Sequence, residues 1–278
     1  MTTSPYDLHA HTTCSDGALS PKALVELAAE MGVTHLAVTD HDTVAGVAEA
    51  KANAETHSIQ LISGVEVSST WSNMDIHIVG LAVDETDQLL IERLATQSER
   101  RVERAEFICR KLEKILQQPL YQRLLERTGG KPPGRPDIAQ LLIDLGVCRT
   151  MNEAFRKYLG QGKSAYVKTD WPEIETAVQW IKEANGIPVL AHPSRYKLTR
   201  TKLSRLIACF KNAGGEALEV TTSGQDPTKT KQLANFAEEF GLLASTGSDF
   251  HSPEMPWVKL GKHPALPKAC TPVWSRFS

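Results

Sequence analysis

Tyr6-Asp7-Leu8-His9-Ala10-His11 is a short apolar run ending in two histidines, and Ser20-Pro21, an amphipathic stretch and Gly32 follow it. Its residues 6–10 read as a β-strand. Ser20 and Pro21 supply an N-cap and a first helical residue, Leu24, Leu27, Ala28 and Met31 form one apolar stripe, and Gly32 ends the helix. A second apolar run over 33–39 completes a βαβ unit. Outward from there the same alternation continues, with strands expected over 60–67, 75–81, 187–191, 216–220 and 242–246. Helices are expected over 43–55, 173–185, 199–212 and 226–240. Seven strands alternating with helices indicate an α/β fold with a parallel sheet closed into a barrel, and 278 residues suit one such barrel with a modest insertion.

The alternation breaks after residue 81. Leu90, Leu94, Val102, Ala105, Ile108, Leu112 and Ile115 recur at helical spacing, so one long helix is expected over 87–117, ended by Pro119. Gly129, Gly130, Pro132, Pro133 and Gly134 mark a loop, with shorter helices over 137–145 and 151–159. The expected domains are therefore a barrel of 1–99 with 168–278, and a helical insertion of 100–167 over the active site. The charge run Arg100, Arg101, Glu103, Arg104, Arg110 and Lys111 reads most simply as a solvated helix face.

Hydrophobic residues at 41% and charged residues at 23% are ordinary for a chain that buries a sizeable core. A formal charge of -2 argues against a broad basic surface and against a DNA-binding module. No apolar leader or membrane-length run is present, so a cytoplasmic protein without a membrane partner is expected, of open oligomeric state. Cys14, Cys109, Cys148, Cys209 and Cys270 are scattered and odd in number, which suggests reduced, structural thiols.

Chemistry concentrates at the strand ends. His9 and His11 share one face of the first strand, and Asp16 follows in the next loop. The second strand ends in Thr39-Asp40-His41-Asp42, the third in Gly64-Val65-Glu66-Val67-Ser68, the fifth in Ala191-His192-Pro193 and the seventh in Gly247-Ser248-Asp249-Phe250-His251; His77 lies within the fourth. Any one of these reads as a satisfied core histidine or a cap. As a set they do not: so many ionisable groups packed together would cost several kcal/mol per ion unless divalent cations cancelled the carboxylates and used the imidazole lone pairs. Mixed imidazole and carboxylate donors suit Mn, Zn or Fe better than Mg, and nine ligands imply more than one ion. Arg195, just after His192, and Arg135, in the insertion, are candidates for bidentate phosphate binding. His35, His57 and His263 lie off these strand ends and read as structural or surface residues.

His9-Ala10-His11, Asp16-Gly17, Thr39-Asp40-His41-Asp42, Gly64-Val65-Glu66, His77, Ala191-His192-Pro193 and Gly247-Ser248-Asp249-Phe250-His251 together resemble the PHP (polymerase and histidinol phosphatase) family, in order and over nearly the whole chain. Tyr158-Leu159-Gly160-Gln161-Gly162-Lys163 and the His-Pro-x-Arg-Tyr segment resemble its nucleoside 3′,5′-bisphosphate phosphatase and 5′-to-3′ exoribonuclease branch. The resemblance implies a distorted (β/α)7 barrel with three metals. His9, His11, Glu66 and Asp249 would hold the first, Glu66, His77 and His192 the second, and Asp16, His41 and His251 the third. It implies hydrolysis of phosphate esters of nucleotides or of the 5′ end of short RNA, with manganese as the ion and zinc, iron or magnesium as alternatives. Asp249, His251 and His192 would be catalytic, and Arg135 and Arg195 would hold the phosphate beside the scissile one. Where relatives often carry Arg-x-His-Phe-Ala, this chain has Arg135-Pro136-Asp137-Ile138-Ala139. The alternatives are a histidinol phosphate phosphatase or a non-catalytic metal-binding module.

Overall fold

A computed structural model describes residues 4–277. Seven strands form one sheet in sequence order: β1 (Tyr6–Asp7), β2 (His35–Val38), β3 (Gln60–Trp71), β4 (Met74–Leu81), β5 (Ile187–Leu190), β6 (Ala217–Thr222) and β7 (Leu243–Gly247). The ends of the sheet meet through the chain beyond β1. Leu8 N–H donates to Thr246 O at 3.1 Å, Asp249 N–H to His9 O at 2.8 Å and His11 N–H to Phe250 O at 2.9 Å, so the sheet is nearly closed. β1 is shorter than expected because on its other side the Thr39 hydroxyl takes over the ladder, accepting from Ala10 N–H at 3.1 Å.

The expected all-parallel sheet needs one correction. β4 runs antiparallel to both β3 and β5, while the other neighbours are parallel. Ser72 and Asn73, at φ 48° and 62°, sit between the paired residues Trp71 and Met74. Two consecutive left-handed residues make the tight hairpin whose twist matches its strands, and no crossover helix fits in so short a link.

The helices flanking the barrel are α1 (Pro21–Glu30), α2 (Val47–Ala54) and, after a helical segment, α7 (Ile174–Glu183), α8 (Arg200–Asn212) and α9 (Pro227–Glu239). Ser20, Thr199 and Asp226 cap α1, α8 and α9 with their side-chain oxygens. Val65, Val67, Ile76 and Ile78 pack in one cluster with Val178, Ile181, Leu206 and Phe210 of the helices. The alternate positions face inward: Ile62, Val79, Leu81 and Ala217 share an interior apolar layer with Leu8 and Val189. The period-two alternation then brings up Glu66 four residues past Ile62 on β3, Glu219 two past Ala217 on β6 and, on the reversed β4, His77 two before Val79. Because β4 is reversed, its apolar interior residues follow His77 instead of preceding it, which is why that histidine lies away from the strand's C-terminal end.

The chain divides into two compact units, Met1–Leu94 with Trp171–Ser278, and Ala95–Asp170. The second holds most of α3 (Gln88–Leu116), then α4 (Tyr121–Thr128), α5 (Arg135–Asp144), α6 (Met151–Ala154) and a π-helical turn, Phe155–Leu159. Its own core joins Ile108, Leu112, Leu120, Leu124, Ile138, Leu142 and Leu159. α4 was not expected, although Leu120, Leu124 and Thr128 give its buried stripe. The charge run on α3 is not wholly solvated: Glu103 and Arg110 are exposed, but Arg101 and Arg104 are buried. Among the described residues no helix is long and apolar enough to cross a membrane.

Gly247 is the point where β7 crosses closest to the chain after β1, and a Cβ there would lie 2.3 Å from His9 Cβ and 2.8 Å from His9 N. Gly247→Ala should therefore cost at least ~2 kcal/mol through overpacking. Thermal unfolding reads this out, and an unchanged melting temperature would contradict the close approach.

Candidate metal centre

Glu66 is completely buried, and five imidazoles face its carboxylate. Oε1 lies 3.0 Å from His77 Nδ1, 3.0 Å from His192 Nε2 and 3.4 Å from His9 Nε2. Oε2 lies 2.9 Å from His41 Nδ1 and 3.4 Å from His11 Nε2. The rings form a closed circuit around it, His9 to His11, His41, His77, His192 and back, with centroid separations of 4.6 to 5.7 Å. His251 stacks on His11 from outside the circuit at 4.1 Å. Two more carboxylates complete the group. Asp249 Oδ1 is 3.2 Å from His11 Nε2 and 3.4 Å from His9 Nε2, and Asp16 is 3.4 Å from His251 Nε2 and 3.8 Å from both His11 and His41.

All nine sequence-singled residues thus meet in one place, carried by six different strands of the barrel and the loops that follow them. The tightest subsets are His11, Asp16, His41 and His251; His9, His11 and Glu66; and His41, Glu66 and His77. His192 and Asp249 border these subsets through Glu66, His9 and His11. Arg195 extends from the same loop as His192, and its guanidinium donates to Asp249 Oδ2. Arg135 opens α5 of the other unit. His263 is buried elsewhere, against Thr246 and Tyr6 O, and His35 stacks on Tyr6.

Backbone geometry helps aim the side chains of the cluster. Asp42, His192 and Asp249 have φ values of 51°, 30° and 54°, a region that costs a branched or bulky residue about 1 kcal/mol or more. Surrounding hydrogen bonds hold them there: Asp42 Oδ1 accepts from Ser68 N–H at 2.7 Å, and Asp249 N–H is fixed by His9 O. Asp40 carries the loop that bears Asp16, accepting from Thr12 N–H at 2.7 Å, the Ser15 hydroxyl at 2.6 Å and the Thr12 hydroxyl at 2.6 Å.

Sequence reasoning missed Glu219. It supplies the buried carboxylate of the one strand that had seemed to contribute nothing, and it touches two of the histidines. Glu219 Oε1 lies 3.2 Å from His9 Nδ1, and Oε2 accepts from His192 N–H at 2.5 Å. A carboxylate inside the apolar run Ala217-Leu218-Glu219-Val220 was the available signal.

Charge in the cluster is tightly balanced. Burial alone would raise Glu66, but His77, His41 and His9 hold its carboxyl well below the usual range. Asp16 and Asp249 are likewise held ionised against burial, Asp16 by His251 and His41 and Asp249 by His9, Arg195 and His251. Burial pushes His41 down to about 4 and also lowers His192. Against burial, Asp16 and Asp249 lift His251 to about 10, and Glu66, Glu219 and Asp249 lift His9 well above its ordinary value. The decisive observation is what stays unsatisfied: His9 Nε2, His11 Nε2, His41 Nδ1, His192 Nδ1 and Glu66 Oε2 are buried without a hydrogen bond of acceptable geometry, even where a neighbour lies within 3 Å. Buried ring nitrogens and a buried carboxylate oxygen left without hydrogen bonds are costly in a dry interior, and divalent cations are groups that fit them.

A family model described as "PHP domain" matches residues 7–187. The chain is 44% identical over 271 residues to the 5′-3′ exoribonuclease Rnm of Escherichia coli, covering 97% of this chain and 92% of that protein. It is 39% identical to the 3′,5′-nucleoside bisphosphate phosphatase of Chromobacterium violaceum, over 96% of this chain and 94% of that protein. Among solved structures, an amidohydrolase from Chromobacterium violaceum with bound sulfate and no metal superposes with a TM-score of 0.90 at 38% identity, over 97% of this chain and 94% of that one. A structure from Bifidobacterium adolescentis described as a metal-dependent phosphoesterase gives 0.82 at 28% identity, over 95% and 93%. Fold, cluster and relatives together define a hydrolase of phosphoester bonds with a cluster suited to divalent metal. The chain belongs to the PHP-domain family.

Carboxylates behind metal-ligating histidines fix their orientation, and losing one typically costs 10–100-fold in metal affinity. Glu219→Gln, which keeps an acceptor for the His192 N–H, should weaken binding of divalent metal about 10–100-fold with the fold intact. Metal titration by calorimetry, checked against circular dichroism, measures it; unaltered affinity would contradict this part for Glu219.

Proposed function

We propose that this chain hydrolyses phosphoesters of nucleoside 3′,5′-bisphosphates or of the 5′ end of short RNA, using three divalent cations, with manganese the fitting ion. The observation that carries the reading is the buried group of unsatisfied imidazole and carboxylate atoms around Glu66. The names borne by relatives matched over nearly their whole length support the substrate class. The ligand assignment is His9, His11, Glu66 and Asp249 for one ion, Glu66, His77 and His192 for the second, and Asp16, His41 and His251 for the third. When bound, such ions neutralise a phosphoryl group's negative charge and provide an activated water near neutral pH.

The chain's own residues divide the remaining work. Glu66 would belong to two of the three sets; its Oε1 faces His9, His77 and His192, and its Oε2 faces His11 and His41. Glu219 and the Asp249 carbonyl turn the rings: the former faces His9 Nδ1, and the latter lies 3.0 Å from His251 Nδ1, leaving the Nε2 atoms to point inward. Asp249 or His251 would carry the proton between the attacking water and the leaving oxygen. Arg195 would hold a phosphate beside the scissile one; its guanidinium forks, and one arm is engaged by Asp249. Arg135 carries the same proposal on the sequence pattern alone.

Asp249→Ala and His192→Ala should each lower Mn-supported release of phosphate or mononucleotide by ~10²-fold or more. A panel of a nucleoside 3′,5′-bisphosphate, 5′-phosphorylated RNA and histidinol phosphate should give turnover with the first two. Undiminished turnover in either variant, or preference for histidinol phosphate, would overturn the proposal.

A further inference from the structure

Beyond Arg195 the chain turns strongly basic. Residues 184–215 contain no Asp or Glu but include Arg195, Lys197, Arg200, Lys202, Arg205 and Lys211, in a protein whose formal charge is -2. Lys197, Arg200, Lys202 and Arg205 are exposed, and among the described residues none of the four forms an ion pair. By contrast Lys22, Lys51, Lys182 and Arg276 of the barrel unit each pair with a glutamate.

The placement also works against local stability. Arg200 and Lys202 occupy the first turn of α8, which has no acidic residue, where the helix dipole disfavours positive charge. Arg200, Thr201, Ser204 and Arg205 line an open cleft of about 290 Å³ with Phe236, and Glu239 is the one acid lining it. Arg200 lies over the Phe236 ring, 5.8 Å from its centroid.

This strip is continuous with the metal centre. Arg195 reaches Asp249, and the Tyr196 hydroxyl accepts from His77 N–H at 2.9 Å while its ring packs edge-on against His192. Lys197 follows at once, and α8 begins three residues later. Unpaired cations in a row starting at a phosphoester site have one fitting complement, a polyanion whose terminus is in that site.

We propose that Lys197, Arg200, Lys202 and Arg205 form a track for the internucleotide phosphates of single-stranded RNA held by its 5′ end at the metal centre. This rests on the reading of the site as one that accepts RNA 5′ ends. The track binds backbone charge, so it acts without base preference and is released by salt. A nucleoside bisphosphate is too short to engage it.

The test compares Lys197→Gln/Arg200→Gln/Lys202→Gln/Arg205→Gln with a control of equal charge change, Lys22→Gln/Lys51→Gln/Lys182→Gln/Arg276→Gln. Each is assayed as the Mn-loaded enzyme on a short 5′-phosphorylated RNA and on a nucleoside 3′,5′-bisphosphate, over a range of salt. Expected for the track variant is about tenfold or greater loss of kcat/KM on RNA, and a log–log salt slope shallower by ~0.7 for each phosphate contact removed. Its bisphosphate turnover should equal wild type, and its melting temperature should hold or rise, since cations leave a helix N-terminus. The control should keep wild-type RNA activity. Equal losses in both variants, equal losses on both substrates, or no loss on RNA would overturn the track. A wild-type enzyme inactive on RNA would instead overturn the substrate reading beneath it.

Discussion

A fully buried glutamate ringed by five imidazoles is the constraint from which the rest of this structure follows. An isolated carboxylate in that position would be expensive, and so would five imidazole rings competing for its two oxygens. Cations relieve both costs at once. The barrel brings ionisable side chains from separated strands to one point, and its period-two alternation does so by placing apolar residues at one level and ionisable ones at the next. Ile62 below Glu66 and Ala217 below Glu219 show the two levels on single strands.

The same requirement explains local features that would otherwise be defects. His192 and Asp249 accept left-handed backbone because that conformation turns their side chains inward at the ends of β5 and β7. Gly64 and Gly247 lack side chains because the backbone of β2 and the Cβ of His9 occupy the space. Asp40, Asp42 and Glu219 hold no outward role, yet each fixes a loop or ring that carries a proposed ligand. Buried charge is concentrated where chemistry needs fixed geometry, and three of the left-handed non-glycine residues lie there.

Much of this was legible in the residue order. Apolar runs bounded by caps located all seven strands, and the ionisable punctuation of those runs located nine of the cluster's residues. The direction of β4 was not read, because a period of two looks the same in either direction; the short link through Ser72 and Asn73, too brief for a crossover, was the neglected clue. Glu219 escaped because a lone carboxylate inside a strand resembles an exposed position until the barrel closes around it. The left-handed backbone at His192 and Asp249 is imposed by partners distant in sequence, so nothing local announces it. The buried Arg101 and Arg104 were hidden by a helix whose charges look uniformly solvent-facing in one dimension.

The most direct test of the account is anomalous diffraction from crystals loaded with manganese. More than one peak should lie within coordinating distance of the Glu66 carboxylate, bordered by His9, His11, His41, His77 and His192. Ordered density for those side chains with no anomalous peak among them would contradict the central claim.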